Sequence, residues 1–396
     1  MFVSLAGTPA GHLAEDAQGR ISFQFLPEYR NLLRPPVLSQ SFVGGLHRTH
    51  RGERHELPPF FANLLPEGPL RELIERRLRI PPGDDLALLA AVGGDLPGAV
   101  EVAAGEGAAE EEPALRFSLS GVQWKFSVLR EAGRVILPGP GQRGDWIVKL
   151  DSARYPRLAE NEFAVLEWAR GAGFDVPESH LQPLTSLPPA LQAHAPAGTN
   201  VLALRRYDRD GQRRIHQEDF AQWAGVPPRL KYEKVSYERC ARWVREVLGE
   251  AAYFEVVRRL VFMVVSGNMD AHLKNWSLTY PDGLNAALAP LYDQVCTVVW
   301  DDLPRTLALR FTGTKNLLRI DEESFAKLAR KAQAGIEQTR AVVHEAMRRL
   351  VESWHAAEIG QLLPPGHAAS LHRYWEESRL VKPWLKRFGS LRGHRR

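Results

Sequence analysis

Cysteine is nearly absent: 396 residues hold two, Cys240 and Cys296, in no CxxC or CxxH spacing. That leaves no disulfide framework and no zinc ribbon, and it points to a reducing cytoplasm. Long apolar runs are missing too. None approaches the roughly 18 residues that a membrane-spanning helix needs. The opening Met1 to Gly7 (MFVSLAG) lacks a basic flank and meets Thr8 and Pro9, too short an apolar stretch for a signal peptide. No membrane partner is expected. No repeat recurs at a fixed period, which excludes a solenoid. Strong net charge is lacking as well: 51 basic against 47 acidic residues give +4. Lysine is scarce, ten against 41 arginines, so each lysine gains weight as a place where a compact primary amine matters. The one strong charge bias is terminal, with seven basic residues and no acidic one from Arg379 to Arg396.

What is present divides the chain. Residues 1–103 mix strand-like runs such as Ile21 to Leu26 with an amphipathic pattern through Leu64, Leu65, Leu70, Leu73, Ile74 and Leu78, for which Pro66 suits a helix start. The stretch Glu101 to Pro113 carries five acids and no base, and an acidic linker is assigned to 104–113. From 114 to 210, runs at Gln123 to Leu129, Val135 to Leu137, Trp146 to Leu150 and Val201 to Tyr207 read as strands, interrupted by a helix from Arg157 to Arg170. Beyond 211 helical periodicity dominates to residue 396, except for a β-rich island over Trp276 to Tyr280 and Ala289 to Val299. The fold class expected is α+β.

The chemistry concentrates after an apolar helix. Leu260 to Val265 ends at Gly267-Asn268, and Asp270, His272, Lys274 and Asn275 follow within a few residues on a loop. Pro290-Leu291-Tyr292-Asp293 then places another carboxylate after an apolar run. An Asp five positions before an Asn, followed by a strand-end Asp, is the protein-kinase order of proton acceptor, metal-binding amide and metal-binding carboxylate. Phosphoryl transfer from ATP with Mg²⁺ needs that inventory. Upstream, the turn Ser118 to Lys125 has one glycine and two hydroxyls, and its backbone N–H groups suit phosphate oxygens. No Walker A pattern is present. Lys149, inside the apolar run Trp146 to Leu150, matches the lysine that pairs ATP phosphates. Glu160 and Glu162 on the following helix are candidate partners for its amine, with Glu162 on the apolar stripe.

Six segments, in this order, together resemble the HipA family: Phe61-Ala62-Asn63-Leu64-Leu65-Pro66-Glu67, Ser120-Gly121-Val122-Gln123-Trp124-Lys125, Glu160-Asn161-Glu162, Arg206-Tyr207-Asp208-Arg209, His216-Gln217-Glu218-Asp219-Phe220 and Asn268-Met269-Asp270-Ala271-His272-Leu273-Lys274-Asn275. These are serine/threonine kinase toxins of bacterial toxin–antitoxin pairs. The resemblance implies a two-lobed protein-kinase-like fold with an extra N-terminal subdomain (1–103), a β-rich nucleotide lobe (114–210) and a helical catalytic lobe (211–396). It implies Asp270 as catalytic residue with His272 and Lys274 beside it, and Asn275 and Asp293 as Mg²⁺ ligands. Nucleotide contacts fall to Ser120, Gly121, Val122, Gln123, Lys125 and Lys149, with Arg206 and Tyr207 at a hinge beside adenine and Asp208 near the ribose. Ser118 or Ser120 is the expected autophosphorylation site. The implied partners are a helix-turn-helix antitoxin, operator DNA reached only through that antitoxin, and a protein substrate that is an aminoacyl-tRNA synthetase in the best-known members. A second reading, a catalytically weak module acting with its antitoxin on operator DNA, draws on the basic tail but leaves Lys149, Asp270, Asn275 and Asp293 without a purpose.

Overall fold

A computed structural model describes residues 1–103, 105, 124–131, 133–139, 142–303 and 305–389. Ser118, Ser120, Gly121, Val122 and Gln123 lie outside the described residues, as does the acidic linker 104–113 apart from Gly105. The chain forms two compact units. One comprises Met1–Ala153, Gln182–Lys231 and Ser277–Ala289, the other Arg154–Leu181, Tyr232–Trp276 and Pro290–Arg396.

The first unit opens with a five-stranded antiparallel sheet in the order His50–Arg54, Arg20–Phe25, Thr8–Glu15, Phe2–Leu5, Val100–Ala103. Along Arg20–Phe25, Ile21, Phe23 and Phe25 are buried and alternate with more open residues, the period-two signature of a strand with one face on a core. Phe23 meets Phe25 and Phe61 at ring separations of 4.8 Å, and Phe42 meets Phe60 at 5.4 Å. Such pairs add to plain apolar burial. The helix expected from Pro66 begins two residues later and spans Gly68–Leu78, because Glu67 is extended and Pro69 sits in the first turn. Leu64 and Leu65 are core residues of the preceding turn.

A second antiparallel run sets Arg134–Ile136, Lys125–Glu131, Trp146–Lys149 and Asn200–Arg205 side by side. A third sheet pairs His216–Asp219 with Ser277–Tyr280 and Ala287–Leu288. That backbone ladder draws 211–231 and 277–289 into the first unit, although their linear position puts them with the helical C-terminal half. The expected β-rich stretch over Ala289 to Val299 differs as well. Its strand stops at Leu288, and a 3-10 turn covers Thr297–Val299. Pro290 offers no N–H, and Asp293 takes a left-handed φ of 52° that no strand accommodates.

One buried carboxyl ties the third sheet to the N-terminal residues. Glu218 accepts hydrogen bonds from the hydroxyls of Ser39 and Tyr280 and, at 2.8 Å, from the Gln40 amide. Its neighbour His216 stacks on Tyr280 and hydrogen-bonds through Nε2 to the Leu38 carbonyl, 2.9 Å away.

The second unit is helical. Its axis is the helix Glu250–Ser266, in which every residue from Arg259 to Ser266 is buried. Leu158–Gly171, Tyr237–Leu248, Ile336–Ala356 and His367–Glu377 accompany it. Trp168, Trp354, Trp375 and Phe388 form an aromatic cluster with ring separations of 4.4 to 6.4 Å. Among the described residues no helix is long and apolar enough to cross a membrane.

The Glu218 node predicts a specific pH dependence. Burial pushes this carboxyl from its ordinary 4.5 up to about 7, against the pull of its three donors. A raised carboxyl contributes stability that is complete below the unfolded value and is lost as pH rises through about 7. His216 works oppositely: burial lowers it from 6.5 to about 4, so its contribution is present above 6.5 and lost as pH falls to about 4. The two slopes offset each other in the wild type. Glu218→Gln removes only the first, so its unfolding free energy relative to wild type should rise steadily from about pH 5 to about pH 8 in urea titrations. A difference independent of pH rules this out.

Candidate active site

The end of the helix Glu250–Ser266 sets the loop that carries Asp270. Gly267 takes a left-handed φ of 68°, and the amides of Gly267 and Asn268 bond back to Val264 and Met263, at 3.3 and 3.0 Å. A Cβ on Gly267 would come within 2.4 Å of Val298, so glycine is required there twice over. The chain then turns on side-chain bonds. Asn268 Oδ1 accepts from the Asp270 amide at 3.0 Å, and Thr297 Oγ1 both donates to the Gly267 carbonyl, at 3.0 Å, and accepts from the Met269 amide, at 2.7 Å.

Asp270 itself is exposed, with Met269 and Ala271 buried on either side. Five positions on, the Asn275 side-chain amide donates to the Asp270 carbonyl at 2.8 Å. This bond fixes the separation that the sequence spacing suggests and brings the two residues together. His272 and Lys274 lie between them, both buried. The Tyr232 hydroxyl donates to Asp270 Oδ1 at 3.0 Å, and its ring stands edge-on to His272.

Asp293 arrives on a neighbouring loop. The preceding Tyr292 donates its hydroxyl to the Lys274 carbonyl at 2.9 Å, and Gln294, buried, pairs with Asn268. Asn161 secures the loop from the other side: its Oδ1 accepts the Cys296 amide at 2.8 Å. The left-handed backbone at Asp293 is strain of the kind that persists where a surrounding framework imposes it. Because Asn275 spends its NH₂ group on Asp270, it presents an oxygen elsewhere. One carboxylate and one amide oxygen suit a hard, oxygen-seeking ion such as Mg²⁺ that shares its remaining positions with phosphate and water. Glu160 is held by Arg157, at 2.5 Å, while Glu162 is buried in the helix Leu158–Gly171.

In the first unit, Lys125 and Lys149 stand directly opposite one another across adjacent strands, at 8% and 3% exposure. Paired residues project from the same sheet face, so two amines converge there. Trp124, just before Lys125, stacks on Phe126 with ring centroids 5.9 Å apart.

The hinge departs from expectation. The Arg206 side chain is wholly buried and turned inward: it forms a bidentate pair with Asp208, at 2.9 and 2.8 Å, and donates to Ser127 Oγ at 3.1 Å. Its amide serves the Asp145 carbonyl. Asp208 also accepts from Arg209 and from the Gly98 amide, at 2.9 and 2.8 Å, and Arg209 reaches Asp95 at 2.8 Å. Arg214 completes the cluster by donating to the carbonyls of Gly98, Leu96 and Val100 and pairing with Glu101. Burial alone would raise the Asp208 carboxyl, yet Arg206 and Arg209 hold it well below the usual range. Both Asp208 oxygens are thus engaged inside the fold, which corrects the placement of this side chain beside a ribose. The Arg206 guanidinium is likewise unavailable to adenine. Tyr207 is half-buried and gives its hydroxyl to Gln217.

Residues 208–214 read from sequence as a charge-dense loop; nothing local signals that Arg209 and Arg214 there meet Asp95 and Glu101 more than 100 positions away. Tyr232, Thr297 and Asp95 carry no motif signal. Asn161 had one, its place between Glu160 and Glu162 in a recognisable triplet.

An α+β fold with an exposed Asp, an Asn five residues on bonded to it and an Asp on a strained neighbouring loop has the arrangement of a protein-kinase-like protein. Residues 117–354 match the HipA-like C-terminal domain and residues 1–103 the HipA N-terminal domain. Y4dM of Sinorhizobium fredii, a kinase by name, is 39% identical over 89% of this chain and 91% of its own. The serine/threonine-protein kinase toxin HipA of Shewanella oneidensis is 24% identical over 65% of this chain and 67% of its own. A solved structure of the Shewanella oneidensis toxin–antitoxin system, HipA with HipB and operator DNA, matches with a TM-score of 0.76 at 21% identity, covering 98% of this chain and 96% of that one. The chain belongs to the HipA family.

If the arginine cluster holds the hinge, Asp208→Asn should cost about 3–5 kcal/mol of unfolding free energy in urea denaturation, because it leaves buried guanidinium charge uncompensated. A loss under about 0.5 kcal/mol would fit a surface position and defeat that role.

Proposed function

We propose that the chain is an Mg²⁺- and ATP-dependent serine/threonine protein kinase, the toxin of a toxin–antitoxin pair. The observation that carries this reading is the loop in which Asn275 is bonded to the Asp270 main chain, leaving a solvent-facing carboxylate and an amide oxygen at a fixed separation. In this reading Asp270 accepts the proton of a substrate hydroxyl, and Asn275 and Asp293 hold the metal on the phosphates. Bound Mg·ATP supplies the phosphoryl group and the cation that neutralises it. Lys125 and Lys149, side by side on one face of a sheet, are placed to add positive charge beside a polyphosphate chain in this reading.

The acceptor is a serine or threonine of a protein target, an aminoacyl-tRNA synthetase, and its modification arrests growth in the cytoplasm. Ser118 or Ser120 is the site of autophosphorylation. A phosphoserine there adds about −1.5 to −2 charge and competes for the amides that cradle ATP. A helix-turn-helix antitoxin restrains the kinase and links it to operator DNA. The complex of Shewanella oneidensis HipA with HipB and operator DNA supports that assembly.

Two substitutions separate the roles. Asp270→Asn should lower phosphate transfer from labelled ATP at least about a hundredfold while ATP binding largely persists; transfer within tenfold of wild type excludes it as the proton acceptor. Asp293→Ala should lose metal-dependent nucleotide binding. Wild type should gain about 2.7 kcal/mol at Mg·ATP near 100 times its dissociation constant, and equal stabilisation of the variant would remove Asp293 from the metal site.

A further inference from the structure

The geometry points to Tyr232 as a positioning residue on the acceptor side of the site, one that holds the catalytic carboxylate through its hydroxyl. This rests on the kinase reading and extends it to a residue outside the D-x4-N and strand-end Asp pattern. Tyr232 opens the chain segment before the helix Tyr237–Leu248, 38 positions ahead of Asp270. Its phenol donates to Asp270 Oδ1 at 3.0 Å, inside the reach expected between a base and the hydroxyl that it serves.

Tyr232 is anchored at both ends. Its ring lies edge-on to His272, with centroids 5.1 Å apart. Its carbonyl accepts from Lys315 Nζ at 3.0 Å, and the same ammonium donates to the Ala308 carbonyl at 2.8 Å. The Ala308 amide in turn donates to the Met269 carbonyl at 2.8 Å, next to Asp270. The circuit Asp270, Tyr232, Lys315, Ala308, Met269 therefore closes on the catalytic loop. A donor fixed at one carboxylate oxygen restrains rotation of the aspartate and sets the direction of the other oxygen. Tyr232 is itself 39% exposed, so its outer edge lies at the surface beside the exposed Asp270.

Two arrangements are compatible with a phenol on a catalytic base: a support that orients it, or a plug that occupies the acceptor's place. The double anchoring favours the support, since a plug must leave each time a substrate enters.

The test uses the full chain with Mg·ATP and dephosphorylated casein as acceptor, following ADP production and phosphate incorporation, with Asp270→Asn as the floor. Tyr232→Phe keeps the ring on His272 and removes only the hydroxyl. It should lower kcat about tenfold, the worth of a hydrogen bond to a charged group, with the KM for ATP and the melting temperature unchanged. Lys315→Met should move kcat in the same direction by releasing the tyrosine's main chain. If Tyr232→Phe keeps the wild-type kcat, or loses activity through a raised KM for ATP, the assignment is overturned. A lowered KM for casein with kcat undiminished identifies a plug and overturns it equally. A wild-type rate no higher than that of Asp270→Asn fails the kinase reading itself, and the tyrosine's assignment falls with it.

Discussion

The carbonyls of Val264 and Val265 lie in the last turn of a buried helix, where the chain's own amides do little for them: Val264 accepts only a long bond of 3.3 Å from Gly267. An orphan carbonyl there costs as much as a lost hydrogen bond. Tyr374 meets the first at 2.6 Å and the Trp375 indole the second at 2.7 Å. These two contacts stop the helix at one residue and fix the direction in which the chain leaves it. Gly267 then reverses the chain, Asn268 and Thr297 hold the turn, and Asp270 surfaces with Asn275 bonded to it. Because the donors come from a helix a hundred residues away, the C-terminal helices and the catalytic loop stand or fall together.

Three buried polar side chains repeat the same logic. Asn161, Thr297 and Asn268 each bond main-chain groups of the two loops that carry Asp270 and Asp293. None of them needs to touch a substrate. Their work is to keep a left-handed aspartate and an exposed aspartate from relaxing into ordinary loop conformations, and buried polar networks do this well only when every member is satisfied.

Much of this was legible in the sequence, and the reason differs by residue. The apolar run to Val265 followed by Gly267-Asn268 announces a helix end because glycine and helix stops share one cause, the left-handed backbone. Lys149 was legible as a lysine in an apolar strand. That Lys125 stands opposite it was not, since strand register depends on pairing across 24 positions. The arginines of 206–214 were misleading: composition counts charges and is blind to whether each has found an acid. The stretch Ala289 to Val299 looked like strand by residue type, but Pro290 and the strained Asp293 override propensity. Scarcity proved informative. Lys125, Lys149, Lys231 and Lys274 are buried, four of ten lysines in a chain that otherwise prefers arginine.

The arginine cluster has a bearing on how this chain can be divided. Asp95 and Glu101 come from the segment that matches the HipA N-terminal domain, and Arg206, Arg209, Arg214 and Asp208 from the segment that matches the C-terminal one. Three cations and three anions balance only when both segments are present. The border between the two family matches near residue 103 is therefore crossed by this charge balance. Exchanging the N-terminal segment for that of a relative imports a charge pattern that must match three buried guanidinium groups, so the two modules are bound to change in step.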